Sequence, residues 1–453
     1  MSKKIIVIGG TAAGLSAASK AKRVDSNLEI TIFERSGYIS YGACGLPYFI
    51  KGLIEEPDDL VSLTVKQVTQ ERGIPIFIHH EVVGIDREKK EILVKDLENE
   101  QLLTHPYDEL VIATGAVPMK LGIPGEDADG VYYLRTVEDG IRVKEAVKAT
   151  EHKRAAIIGG GFIGLEVAEA LTENGIEVSL YEAMPRLLPF LENDFSAEIL
   201  KVLEVQGVKV HLGTSVTELL TEDGKICGVK DQNGVTSFVD FAILCVGVVP
   251  NTLLAKNAGL KLGIKGGIVV NEEMKTSDPC IWACGDCVQM RDLITGAATY
   301  VPLGTTANKQ GRITGDNIAG NHDKFKGVLG SMVTKVFDLY IAATGLNLER
   351  AKNAGFDAVT TTITKGERAS YYPGGQDDHI CLIMDKKTGR LLGAQGIGGE
   401  AIAGRMNVFV TAIICKMTVD QINELDLVYA PPVAPVYDPI LIAANQAMKK
   451  VER

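Results

Sequence analysis

The amino-acid sequence predicts an α/β fold made of two βαβ units and a C-terminal α+β unit, three domains in all. Three observations carry this. Twice, a short apolar strand runs into a glycine-rich turn, a helix-like stretch, a second strand and a closing acid. Further apolar runs end in glycine, as expected where the chain crosses between units. From about residue 326 the texture changes to alternating strand patterns.

The first unit opens with the strand Lys4–Ile8. G-G-T-A-A-G follows at residues 9–14, then a helical stretch over residues 15–23 and the strand Glu29–Phe33, closed by Glu34. This order of strand, glycine turn, helix, strand and acid is the layout that holds a dinucleotide. Glu34 follows Gly14 at about the 20-residue distance from which a carboxylate reaches a ribose. The second unit repeats the plan: a strand at 155–158, G-G-G-F-I-G at 159–164, a helix over 165–174 and a strand at 177–181 ending in Glu182. Missing side chains let backbone N–H groups approach a pyrophosphate, and the helix N-terminus adds favourable partial charge. Gly161 permits that approach in the second turn, whereas Thr11 holds the equivalent place in the first. One glycine turn is weak evidence. Two complete copies predict two Rossmann-like dinucleotide-binding domains.

D-E-L-V-I-A-T-G at 108–115 and F-A-I-L-C-V-G-V-V-P-N at 241–251 read as apolar strands ending in glycine at crossovers. I-W-A-C-G-D-C at 281–287 sets Asp286 just after another buried strand, and residues 307–320 look helical. In the last unit, 331–337 and 379–384 read as strands and 404–417 as a helix. The expected domains are residues 1–115 with 248–325, residues 116–247, and residues 326–453.

Size and composition agree with this plan. The chain has 453 residues, of which 46% are hydrophobic and 23% charged, enough for several cores. A net charge of −11 argues against nucleic acid or anionic lipid as a partner, though not against a local basic pocket for a phosphorylated ligand. The short run at Ile5–Ile8 ends in glycine and does not have a signal-peptide layout, and no apolar segment approaches the ~20 residues of a membrane span. A cytoplasmic protein is expected. The eight cysteines are scattered, at positions 44, 227, 245, 280, 284, 287, 381 and 415. Cys284 and Cys287 form a C-x-x-C without a second ligand pair, so no metal site is expected.

Cys44 follows a turn and precedes G-L-P-Y-F-I, where Pro47 fits a first helical turn. A thiol at a helix start feels the positive end of the dipole, which predicts a lowered pKa and a reactive thiolate. Such a thiolate can attack a disulfide.

Taken together, the two glycine turns, A-T-G at 113–115, Gly285-Asp286 and S-Y-G-A-C-G-L-P-Y at 40–48 resemble the pyridine nucleotide-disulfide oxidoreductases, essentially end to end. Within that family the sequence resembles the single-cysteine branch, and most of all the coenzyme A-disulfide reductases, with NADH oxidases, NADH peroxidases and NADH-dependent persulfide reductases as the neighbouring members. The two-cysteine type spaces its pair C-x-x-x-x-C, and Phe49 stands where the second cysteine would be. The resemblance implies an FAD-dependent NAD(P)H oxidoreductase, and a homodimer whose C-terminal domain completes the partner's active site.

Carried over residue by residue, the resemblance implies FAD contacts at Gly9, Thr11, Ala12, Gly14, Glu34, Arg35, Ser40, Val83, Ala113, Thr114, Gly115, Asp286 and Ala307. For the nicotinamide cofactor it implies Gly159, Gly161, Phe162, Ile163, Gly164, Glu182 and Gly247. Glu182 favours NADH, since a carboxylate repels a 2′-phosphate; Arg186 nearby leaves NADPH open. Cys44 is implied as the redox-active residue, with Tyr371 and Tyr429 as the tyrosines placed beside the partner's cysteine. Ser16, Lys20, Arg23, Ser40, Arg72 and Asn308 fall on coenzyme A contacts, so coenzyme A is expected as a bound group or as a mixed disulfide with Cys44. Ala12 occupies the place of the histidine that serves oxygen and peroxide chemistry in the oxidase and peroxidase branch, which puts disulfide or persulfide reduction ahead of oxygen as acceptor. Two departures run the other way: Ala43 replaces an asparagine, and Tyr437 a basic residue, found in coenzyme A-disulfide reductases.

Overall fold

In the computed structural model, which describes residues 2–149 and 154–452, each glycine turn emerges from the central strand of a parallel five-stranded sheet. The first sheet runs in the order Ile281–Ala283, Glu109–Ile112, Lys4–Ile8, Glu29–Phe33, Ile76–Phe77. The second runs Lys209–Leu212, Glu177–Glu182, Arg154–Ile158, Phe241–Leu244, Val131–Tyr133. All pairings in both are parallel, for example Ile5 opposite Ile30 and Ala155 opposite Val178. Strands buried on both faces explain why these runs read as continuously apolar rather than alternating. The strand order reverses at the glycine-turn strand, which is where doubly wound sheets bind ligands.

The two turns are sterically equivalent. A Cβ on Gly14 would lie 2.0 Å from the Gly9 carbonyl oxygen, and one on Gly164 would lie 2.0 Å from that of Gly159. No side chain fits either place. By contrast, a Cβ at Gly161 meets nothing within 4 Å, and Thr11 sits in extended conformation at φ −97°. The third position of the motif is therefore free to vary, which accounts for Thr11.

Helices start earlier than the sequence pattern suggests. The first spans Ala12–Val24 and its counterpart Phe162–Glu173, because the turn residues themselves form the first helical turn. The helices read at 307–320 and 404–417 are Gly304–Ile318 and Ala401–Ile414. Gly320 at φ +102° and Lys416 at φ +56° follow their last turns.

Antiparallel three-stranded sheets flank both units: His80–Asp86 with Glu91–Asp96 and Leu102–Pro106, and Val216–Glu222 with Lys225–Asp231 and Thr236–Phe238. The crossover strands Ala116–Pro118 and Val248–Pro250 pair with each other. The C-terminal part is a five-stranded antiparallel sheet, ordered Met332–Val336, Leu339–Gly345, Leu391–Gly398, Asp377–Asp385, Ala358–Gly366. Ala401–Ile414 and Pro439–Met448 pack against it around Phe409, Leu382 and Ala443. Among the described residues no helix is long and apolar enough to cross a membrane.

Candidate active site

Above the first glycine turn lies a cavity of about 370 Å³, within the range of small-molecule sites. It gathers eight residues named from the sequence: Gly9, Thr11, Glu34, Arg35, Val83, Ala113, Thr114 and Gly115. Glu34 is buried and held by the turn it serves. Its Oε2 accepts from the Gly10 N–H at 2.7 Å, and its Oε1 from the Ser36 N–H and Oγ at 2.9 Å each.

Asp286 joins this cavity through a residue the sequence reading missed. Arg135 lines the cavity and donates to Asp286 Oδ2 at 2.8 Å. Asp286 Oδ1 is buried without a hydrogen-bond partner, an acceptor that a ligand hydroxyl would satisfy. The orphaned oxygen, the glycine turn with no room for a Cβ and the buried Glu34 together fit the ribityl, pyrophosphate and ribose groups of FAD. No motif marks Arg135; the structure alone pairs it with Asp286. Ala307 lies deeper, buried in the helix Gly304–Ile318, where it packs near Gly285.

The second turn repeats the device. Glu182 Oε2 accepts from the Gly160 N–H and its Oε1 from the Met184 N–H, both at 2.7 Å. Gly159 and Gly247 take positive φ, +110° and +101°. Phe162 rests on Phe190 with ring centroids 5.4 Å apart, and Ile163 is exposed. Arg186 is turned away: its guanidinium donates to Asn193 Oδ1 and to the Pro189 carbonyl. A 2′-phosphate would therefore meet Glu182 without a free cation from Arg186.

Cys44 sits in the 3₁₀ turn Ala43–Gly45, ahead of the helix Leu46–Lys51 with Pro47 in its first turn. Cys44 is exposed as a residue, while the protein around its sulfur is dense enough to desolvate the thiolate. Its pKa is raised rather than lowered, first by desolvation and then by the Glu166 carboxylate, against the pull of Arg135. The expected dipole activation is thus corrected. The helix has six residues, too short for a strong terminal field, and the surrounding protein and carboxylates outweigh it. Glu166 itself is held above the ordinary carboxylate range by burial, and accepts from Thr334 Oγ1 at 2.5 Å. Arg135 and Asp286 both act electrostatically on Cys44, which itself lines neither the large cavity nor a smaller one along the first helix.

This second cavity, about 310 Å³, shares Thr11 with the first. It brings together all six residues assigned from the sequence to coenzyme A: Ser16, Lys20, Arg23, Ser40, Arg72 and Asn308, along with Ala12. The structure adds Ser19, Leu63 and Arg312. Lys20 pairs with Asp316 at 2.8 Å, while Arg72 donates to Ser19 Oγ at 2.8 Å and Asn308 to Ser16 Oγ at 2.9 Å. Arg312 stands one helical turn after Asn308, so the i, i+4 spacing was the signal that could have found it.

Tyr371 and Tyr429 lie apart from both cavities, exposed on the C-terminal domain, with their hydroxyls 3.2 Å from each other. The sequence placed both beside a cysteine but did not foresee that they touch.

Comparison with known proteins agrees with this architecture. Residues 3–311 match the model of the family described as pyridine nucleotide-disulphide oxidoreductase, and residues 332–438 that of its dimerisation domain. The chain is 38% identical to a protein of Methanocaldococcus jannaschii named NADH oxidase, with 99% of each covered. It is 35% identical to the NAD(P)H coenzyme A polysulfide/persulfide reductase of Pyrococcus horikoshii, with 98% of each covered. The crystal structure of reduced Bacillus anthracis CoADR-RHD superposes with a TM-score of 0.96 at 37% identity, covering 99% of this chain and 80% of that one. On fold, on the two glycine turns with their carboxylates and on these matches, the chain belongs to the pyridine nucleotide-disulphide oxidoreductases.

Proposed function

We propose that this protein is an FAD-dependent NAD(P)H oxidoreductase in which Cys44 reduces a low-molecular-weight disulfide or persulfide carried on coenzyme A. The basic second cavity carries the reading. In a chain of net charge −11, Lys20, Arg23, Arg72 and Arg312 converge on about 310 Å³. Of these only Lys20 pairs with a carboxylate among the described residues. Four cations lining a small space suit a ligand with several phosphates. Ser40 lines the same space four positions before Cys44, which supports a nucleotide thiol reaching from this cavity to the sulfur.

Bound FAD supplies the path for an electron pair from the nicotinamide to the thiol. The chain's own residues do the rest. Glu34, Asp286 and Arg135 hold the flavin nucleotide, and Glu182 with the Gly159–Gly164 turn holds the nicotinamide nucleotide. Arg186 is engaged elsewhere, which supports NADH over NADPH. The Cys44 thiolate attacks the oxidised sulfur, forms a mixed disulfide with coenzyme A and releases the other half. Tyr371 and Tyr429 donate a proton to the departing thiolate from the opposite subunit of a homodimer. Exposed Val428, Val433, Val436 and Tyr371 on the C-terminal domain, together with the match to a dimerisation domain, support that assembly. We take residues 1–115 with 248–325, 116–247 and 326–453 as its three domains.

Intact-mass measurement of the native protein, before and after reductant, tests this. Loss of one coenzyme A per chain, absent in Cys44→Ser, is the expected result. A second reading, oxygen as acceptor, is favoured by the relative named NADH oxidase. Against it stands Ala12, in the place where the resemblance puts the histidine of the oxidase and peroxidase branch. Fast reoxidation by air with none by coenzyme A disulfide would reverse the order.

A further inference from the structure

A buried charge cluster lies in the C-terminal domain, apart from both cavities. Arg405, on the helix Ala401–Ile414, is 5% exposed. Its Nη1 donates to Asp378 Oδ2 at 2.7 Å, and its Nε and Nη2 grip Asp438 at 2.9–3.2 Å. Nη2 also donates to the backbone carbonyl of Glu367 at 2.8 Å. Asp378 is wholly buried. Such an assembly is a weak source of net stability, because desolvation of its charges offsets most of their attraction. What it supplies is geometry, since a guanidinium is a rigid planar fork.

The anchor points are informative. Glu367 stands at the root of the segment that carries Tyr371, directly after the strand Ala358–Gly366. Asp438 ends the segment that carries Tyr429, where it caps the helix Pro439–Met448 through the Ile440 N–H at 2.8 Å. One side chain thus holds the bases of both segments. Between base and tip, the Ala369 N–H donates to the Pro431 carbonyl at 3.2 Å. At the tips the two hydroxyls meet at 3.2 Å.

We infer that Arg405 is the positioning residue of the Tyr371–Tyr429 pair, fixing the two segments so that the hydroxyls present themselves together to the reacting sulfur. The inference rests on the reading above that this pair serves thiol chemistry.

The test uses the FAD-loaded dimer of two variants. Arg405→Lys keeps the charge but cannot reach three acceptors in a plane. Asp378→Asn keeps the shape and leaves the Asp438 contacts in place, should the lysine variant fail to fold. Flavin bleaching by NADH should be unchanged in both. Turnover with coenzyme A disulfide should fall by about tenfold or more, as small misplacements of reacting groups do. Adding Tyr371→Phe to either variant should cost clearly less than Tyr371→Phe costs the wild type. In a crystal structure of the variant the hydroxyls should stand beyond hydrogen-bond reach. Wild-type turnover in a folded variant, a fully multiplicative double mutant or a retained hydroxyl contact each overturns the inference. Full turnover in Tyr371→Phe and Tyr429→Phe would instead sink the reading beneath it, while the hydroxyl separation still decides the role of Arg405.

Discussion

Arg312 and Arg72 make separable claims about the basic cavity. Each should give a charge-assisted hydrogen bond to a phosphate, about 1.5–3 kcal/mol. Arg312→Ala and Arg72→Ala should therefore each raise KM for coenzyme A disulfide by about tenfold or more, with KM for NADH unchanged. Steady-state kinetics with both substrates varied would show it, and an equal rise for NADH would remove coenzyme A from this cavity. Glu166 makes a claim about the thiol. Its carboxylate raises the Cys44 pKa, so Glu166→Gln should lower that pKa and speed alkylation at a fixed pH near neutrality. Rates of iodoacetamide labelling across pH check the sign, and a slower reaction would contradict the electrostatics. The position of Cys44 was legible from its local motif. Its acidity was not, because the residues that govern it, Glu166 and Arg135, come from distant parts of the chain and no spacing announces them.

Two helices build the basic cavity. Ser16, Lys20 and Arg23 share a face of Ala12–Val24, and Asn308 and Arg312 share one of Gly304–Ile318. The helices lie close because Gly311 and Gly315 face the backbone carbonyls of Ala13 and Ala17, each of which a Cβ would approach to 2.2 Å. Gly311→Ala should force them apart, at about 1–3 kcal/mol of overpacking. Thermal unfolding should register the loss, and weaker coenzyme A disulfide binding should accompany it. An unaltered Tm would mean that the contact yields. The helix faces were readable from sequence spacing. The close approach was not, since glycines inside a helix pattern look like weak points until their neighbour is known.

Taken whole, the molecule followed its sequence wherever order along the chain dictates form. The parallel strands, both glycine turns and the closing carboxylates fell where the motifs put them. What escaped were long-range links, between units for Arg135 to Asp286 and within the C-terminal unit for Arg405 to Glu367 and Asp438, which depend on tertiary packing alone. One link has a pH signature. Burial pushes Asp378 up to about 6 from 3.8, against the pull of Arg405 and with Glu367 adding to the rise. A raised acid binds its proton more tightly in the folded chain. Its contribution to stability is therefore lost as pH climbs from about 4 to about 6, and is constant above. Wild-type Tm minus that of Asp378→Asn should fall across that window and then level; a flat difference from pH 4 to 8 would refute it.

Glu169, on the helix that follows the second glycine turn, accepts at one oxygen from Lys51 Nζ and at the other from the Phe337 N–H, both at 2.6 Å. Lys51 ends the short helix behind Cys44, and Phe337 lies in the hairpin of the C-terminal sheet. A single carboxylate thereby joins the helix after Cys44, the unit of the second glycine turn and the C-terminal sheet. Any motion that parted two of these parts would have to break one of those two hydrogen bonds, so the linkage resists hinging between them.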